Sequence, residues 1–148
     1  MASTADTQAA TLDEFIASWK AWEPNAFLNT FDQDFSLVTL PSSIGMPPQP
    51  RAVIEKMLPI QMELVKDYQL QVRQVVHDAA NNKAAVYATS TGDTELGPWA
   101  TDYAVFITFN EAGDKVKLLE EMLDSAFMKD FGPKFGRYAQ EQMAKRGF

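Results

Sequence analysis

Glu121 and Asp124 close one run of apolar residues, and an acid beside a phenol, Asp102 and Tyr103, sits in another. A carboxylate walled in by apolar side chains loses hydration, so its pKa rises and it can give or take a proton near neutrality. A phenol can polarise a carbonyl or donate to a developing enolate. Together these groups suit an isomerisation, cyclisation or dehydration that needs no cofactor. Each also has a plain structural reading. Asp124 and Ser125 are good N-cap types for the helix that follows them, and Tyr103 can pack in a core with its hydroxyl bonded to backbone. His77, the single histidine, ends a strand beside a turn, where an imidazole more often meets solvent than substrate.

Which of these groups face inward depends on strand phase, since neighbouring strand residues point to opposite faces. If Tyr103 faces the interior, Trp99, Thr101, Val105 and Ile107 accompany it; if Asp102 does, Ala100, Ala104 and Phe106 accompany it. The first set is more like a ligand wall. Glu121 pointing inward takes Leu119 and Leu123 with it. The opposite phase groups Val116, Leu118 and Met122 and is just as apolar, so both remain open.

The elements that must position these residues run helices first, then strands. Leu12, Phe15, Ile16, Trp19 and Trp22 recur at helical spacing after Thr11, a good cap, with Asp13 and Glu14 at the positive end. Pro24 starts a short second helix through Phe27, Leu28 and Phe31. Phe35 to Leu40 reads as a strand, and the proline-rich stretch Pro41 to Pro50 as a loop inside the domain. Arg51 to Lys66 is a third helix, with Pro59 expected to kink it or start a turn of it. From Tyr68 the period changes to two, and a turn at Ala80–Lys83 returns the chain as Ala84–Thr91, making a long hairpin. Trp99–Phe109 and Val116–Leu123 follow. These four strands are expected to be antiparallel neighbours, because short connections cannot make parallel crossovers. A last helix from about Ser125 is expected to be interrupted near Gly132 and Pro133. The architecture is α+β, with a curved antiparallel sheet wrapped around the N-terminal helices and a C-terminal helix added.

Composition narrows the chemistry. The chain has 148 residues, 46% of them hydrophobic, which suits one domain with a core large enough for an internal pocket. Domain limits of 12–148 are expected, with residues 1–11 as a flexible tail. There is no cysteine, so disulfides, thiol nucleophiles and cysteine-ligated metals are out. One histidine rules out multi-histidine metal sites, and no metal or cofactor site is expected. A net charge of -7 repels phosphate backbones and anionic lipid, so neither nucleic acid nor membrane is an expected partner. With no basic or apolar leader at its start, the chain reads as cytoplasmic. Nucleophile-elbow, Walker and dinucleotide motifs are missing. Trp19, Trp22, Phe27, Phe31, Met57 and Met62 are mainly core by their helical spacing, though some must line any cavity. The candidate substrate wall is Phe31, Met57, Trp99, Leu119 and Leu123, with Met46 and Arg51 over the mouth.

Four segments carry a family resemblance: Leu40-Pro41-Ser42-Ser43-Ile44-Gly45-Met46-Pro47, Thr94-Glu95-Leu96-Gly97-Pro98-Trp99, Asp102-Tyr103, and Glu120-Glu121-Met122-Leu123-Asp124-Ser125-Ala126-Phe127. Over about Leu12 to Phe135 the chain resembles the NTF2-like, SnoaL-like superfamily of cone-shaped α+β barrels, which includes ketosteroid isomerase and scytalone dehydratase. More narrowly it is similar to small fungal members found with polyketide, meroterpenoid and alkaloid pathways. The resemblance implies a cofactor-independent isomerase or cyclase acting on a hydrophobic secondary metabolite, with Tyr103, Glu121 and Asp102 as catalytic candidates. It also implies a homodimer paired through the outer sheet face. Scytalone dehydratase-like sites use more than one histidine, and the single His77 argues against that chemistry. A non-catalytic binding protein, or a scaffold that engages a protein through the sheet, are the competing readings.

Overall fold

The computed structural model describes residues 2–147. Ser3 opens helix α1 (Thr4–Ala21) with a capping box, its hydroxyl accepting from Asp6 N at 3.1 Å while the Asp6 carboxylate accepts from Ser3 N at 3.2 Å. The helix therefore starts a full two turns before Thr11, and the flexible tail expected over residues 1–11 is corrected from Thr4 onward. The early turns are held by polar contacts that no apolar periodicity reveals. Gln8 is buried and donates to Asn82 Oδ1 at 2.7 Å, and the Thr11 hydroxyl donates to Gly113 O at 2.7 Å.

Helix α2 (Pro24–Leu28) leads into strand β1 (Phe31–Leu40), so Phe31 begins a strand instead of ending a helix. A single 3-10 turn at Ser42–Ile44 and a two-residue strand β2 (Gln49–Pro50) occupy the proline-rich stretch. Helix α3 (Arg51–Leu64) continues through Pro59. Strands β3 (Lys66–Asp78), β4 (Lys83–Thr94), β5 (Gly97–Phe109) and β6 (Val116–Leu123) follow, then helix α4 (Ser125–Lys145), which also runs unbroken through its proline. Pro133 lies on the exposed side of α4, where the carbonyl left without a partner can turn to water.

The six strands make one sheet in the order β2-β1-β6-β5-β4-β3. Strands β3 to β6 are antiparallel neighbours, as short connections require, whereas β1 joins β6 in parallel at the other edge. The sheet, α1–α3 and α4 bury one core whose largest enclosed side chains include Phe15, Phe109 and Ile107. Curvature needs a close approach at Gly92, where a Cβ would come within 2.8 Å of Val65 Cγ1 and 3.1 Å of Lys66 O. Among the described residues no helix is long and apolar enough to cross a membrane.

Candidate active site

Strand β5 alternates without a break. Trp99, Thr101, Tyr103, Val105, Ile107 and Phe109 are buried, while Asp102 and Phe106 are exposed. Tyr103 therefore faces the interior and Asp102 does not. Asp102 lies on the outer face, where the Tyr87 hydroxyl donates to its Oδ2 at 2.6 Å. Its expected catalytic role is corrected by this placement.

Strand β6 resolves its two possible phases with a bulge. The register shifts between the Phe109–Val116 and Thr108–Leu118 pairs, so Val116 and Leu119 are both buried although their spacing is odd. Beyond the bulge, Leu119, Glu121 and Leu123 line the interior together. Glu121 pairs with Val105 on β5 and Thr39 on β1, and Tyr103 pairs with Leu123. Glu121 and Tyr103 are thus diagonal neighbours on one face, roughly 7–8 Å apart along such a diagonal.

Both groups open onto a cavity of about 140 Å³ between the sheet and the helices. Its walls are largely aromatic: Phe31 stacks on Phe35 with centroids 3.9 Å apart, and Phe15 packs edge-on against Trp19 and tilted against Phe27. All six helical-spacing residues assigned mainly to the core, Trp19, Trp22, Phe27, Phe31, Met57 and Met62, also line it. Trp99, Leu119 and Leu123 take their expected places in the wall. Met46 and Arg51 do not. Met46 is exposed on its loop. Arg51 is turned away, its Nη1 donating to Leu28 O at 3.1 Å and Phe31 O at 2.6 Å and its Nε to Glu55 Oε1 at 2.7 Å. The guanidinium binds the α2–β1 connection to α3 and offers no cation to a ligand.

The Glu121 carboxyl has no hydrogen-bond partner and no paired cation among the described residues, and the residue lines the cavity. Loss of hydration among these apolar neighbours pushes its pKa up to about 7. Burial likewise drives the Tyr103 phenol well above its ordinary value, so it stays protonated. The site thus places a carboxyl able to exchange a proton near neutrality beside a phenol that keeps its own.

The other candidates have structural duties. Asp124 caps α4, accepting from Ala126 N at 3.1 Å and Phe127 N at 3.3 Å. His77 Nε2 lies 2.9 Å from Gln8 Oε1, away from the cavity. Sequence reasoning missed Gln61, Ser90 and Tyr68. Gln61 lines the cavity from α3, four residues beyond Met57 on the same helical face. Ser90 and Tyr68 share the inward phase with Ala88 and Leu70 respectively, and a polar residue on a buried phase was the available signal.

The fold and site together define an NTF2-like cone whose largely aromatic cavity is lined by one desolvated carboxyl. No protein-family model matches the chain. It is 54% identical over 140 residues to monooxygenase AgnL5 of Paecilomyces divaricatus, covering 95% of this chain and 87% of that protein. It is 51% identical over 141 residues to monooxygenase AacuO of Aspergillus aculeatus, covering 95% and 88%. The BvnE pinacolase of Penicillium brevicompactum shares the fold, with a TM-score of 0.81 at 16% identity over 93% of this chain and 96% of that one. The chain belongs to the family of AgnL5 and AacuO, and its fold is of the NTF2-like kind.

Proposed function

We propose that this protein is a cytosolic, cofactor-independent isomerase or cyclase that acts by proton transfer on a hydrophobic polyketide, terpenoid or alkaloid intermediate of fungal secondary metabolism. The observation that carries the reading is the unpaired Glu121 carboxyl, titrating near 7 inside an aromatic cavity with the Tyr103 phenol one diagonal away. Ionised Glu121 takes a proton from carbon or oxygen of the bound molecule. Tyr103 donates to the oxygen on which charge develops, and the protonated Glu121 returns the proton elsewhere on the same skeleton.

The names of AgnL5 and AacuO favour a second reading, monooxygenation, which begins with the same proton removal. A carbanion can reduce dioxygen directly. Conversion of a CH₂ to a carbonyl uses one O₂, releases one water and draws all four electrons from the substrate carbon. The test is to incubate purified protein with neighbouring pathway intermediates in deuterated water under ¹⁸O₂. Isomerisation or cyclisation keeps the product free of ¹⁸O and leaves exchangeable deuterium on carbon, whereas monooxygenation adds one ¹⁸O atom. An intermediate that binds and is recovered unchanged identifies a binding protein and defeats both.

We also propose a homodimer through the outer sheet face. Val76, Tyr87, Phe106 and Met122 are exposed there, and the register sets Ala85 beside Phe106 and Ala104 beside Met122. An apolar face of this kind favours a self-complementary partner.

A further inference from the structure

Most polar groups on the cavity wall are already engaged by the fold. All three tryptophans of the chain line the cavity, and each indole N–H is directed to a protein acceptor. Trp19 donates to Tyr68 Oη at 3.0 Å, Trp22 to Met62 O at 2.8 Å, and Trp99 to Ser90 Oγ at 3.0 Å. The Thr101 hydroxyl donates to Asp102 O at 3.4 Å, and the Tyr103 hydroxyl accepts from Ser90 Oγ at 2.9 Å. Two wall side chains have no hydrogen bond among the described residues, the Glu121 carboxyl and the Gln61 amide. No sealed side-chain polar atom among the described residues lacks a partner, so both groups reach open space.

Glu121 stands on β6 of the sheet and Gln61 on α3, and the cavity lies between sheet and helices, so the two belong to opposite walls. Every other α3 residue on the wall, Ile54, Met57, Leu58 and Met62, is apolar. Gln61 falls within that stripe, three residues after Leu58 and four after Met57, where a methionine of similar length would continue it. The amide makes no bond that serves the fold. When a ligand displaces water from it, the amide loses hydration and needs a partner on the ligand in exchange. A primary amide carries both donors and an acceptor, so a ketone oxygen or a hydroxyl satisfies it and a hydrocarbon edge does not.

We infer that Gln61 is a specificity-determining residue that binds an oxygen function of the ligand at the wall opposite Glu121, and that the cavity takes apolar ring skeletons oxygenated at both ends. The aromatic walls suit the ring faces, and the two unengaged polar groups suit the two ends. The inference rests on the proposed reading of the cavity as a substrate site and narrows its substrate class. Hydrocarbon skeletons, and those oxygenated at one end only, are disfavoured because they dry at least one of the two groups without a partner. Gln61 holds the ligand and moves no proton.

Three probes built on one skeleton test this without turnover: naphthalene, 2-naphthol and 2,6-dihydroxynaphthalene, titrated by calorimetry into wild-type protein and Gln61→Met. Methionine keeps the length and helix propensity of glutamine and removes the amide. The second hydroxyl is expected to tighten binding to wild-type protein by about fivefold or more over 2-naphthol, the size of one hydrogen bond to a desolvated amide. Gln61→Met is expected to lose that gain and to bind naphthalene as wild-type protein does, which shows an intact cavity. A diol no tighter than 2-naphthol on wild-type protein overturns the inference. So does a gain that survives in Gln61→Met, or a loss in that variant equal for all three probes, which marks a packing role. Wild-type protein that takes up none of the three overturns it as well. Conversion of a pathway intermediate by wild-type protein and Glu121→Gln decides the proton-transfer reading separately. An idle Glu121 leaves the diol preference standing, and a missing diol preference leaves conversion standing.

Discussion

Glu121 is stabilised as the neutral acid because nothing in its surroundings compensates the charge. Its ordinary value of 4.5 applies to the unfolded chain, and about 7 to the folded one. Between those values the folded protein holds the proton that the unfolded chain has lost, so stability falls as pH rises from about 4.5 to 7 and levels off above. The loss is on the order of 3 kcal/mol. Glu121→Gln is expected to remove this slope and to be the more stable protein at pH 8, which denaturant titrations at pH 4 and pH 8 will show. Tyr103→Phe should keep the fold and slow turnover by about tenfold or more, mainly in kcat, as expected for a donor used by the charge that develops. Arg51 teaches the complementary lesson. Its carbonyl partners at Leu28 and Phe31 are about twenty residues away in sequence, so the type and position of the residue suggested a ligand cation that the fold consumes.

Helix α4 closes the cavity by laying Phe127, Phe131 and Phe135 against the Trp99 ring, at centroid distances of 5.4, 5.8 and 5.5 Å, and by adding Met128 to the wall. Asp124 starts that helix. Asp124→Ala is expected to cost about 1 kcal/mol, to speed amide exchange in the first turn of α4, and to raise KM more than it lowers kcat. At this scale the sequence was legible wherever a period ran unbroken. β5 alternates from Trp99 to Phe109, so only one of Tyr103 and Asp102 could face inward, and the fold turns Tyr103 in and Asp102 out. β6 was not legible, because its bulge brings Val116 and Leu119 to the same side, and no alternation encodes a bulge. β3 has a similar irregularity between Val72 and Gln74, after which Val75 and Val76 are both exposed. The start of α1 was hidden for another reason: Gln8 and Thr11 anchor it through polar contacts that become visible only once Asn82 and Gly113 are beside them.

The whole molecule divides its apolar surface between two sides of one sheet, a cavity on the inner face and an exposed patch on the outer. Phe106 and Met122, 43% and 38% exposed, stand on adjacent strands of that patch. Phe106→Lys combined with Met122→Lys is expected to yield a monomer by sedimentation while leaving cavity ligands bound, since neither side chain lines the interior. The net charge of -7 is carried on the surface; the chemistry needs one acid withdrawn from it. Conversion of a neighbouring pathway intermediate by wild-type protein and by Glu121→Gln, followed across pH 5–9, tests that claim most directly. A wild-type rate with an inflection near pH 7, and a Glu121→Gln rate at least about tenfold lower without that inflection, is the predicted result. Equal rates in the two proteins would contradict it.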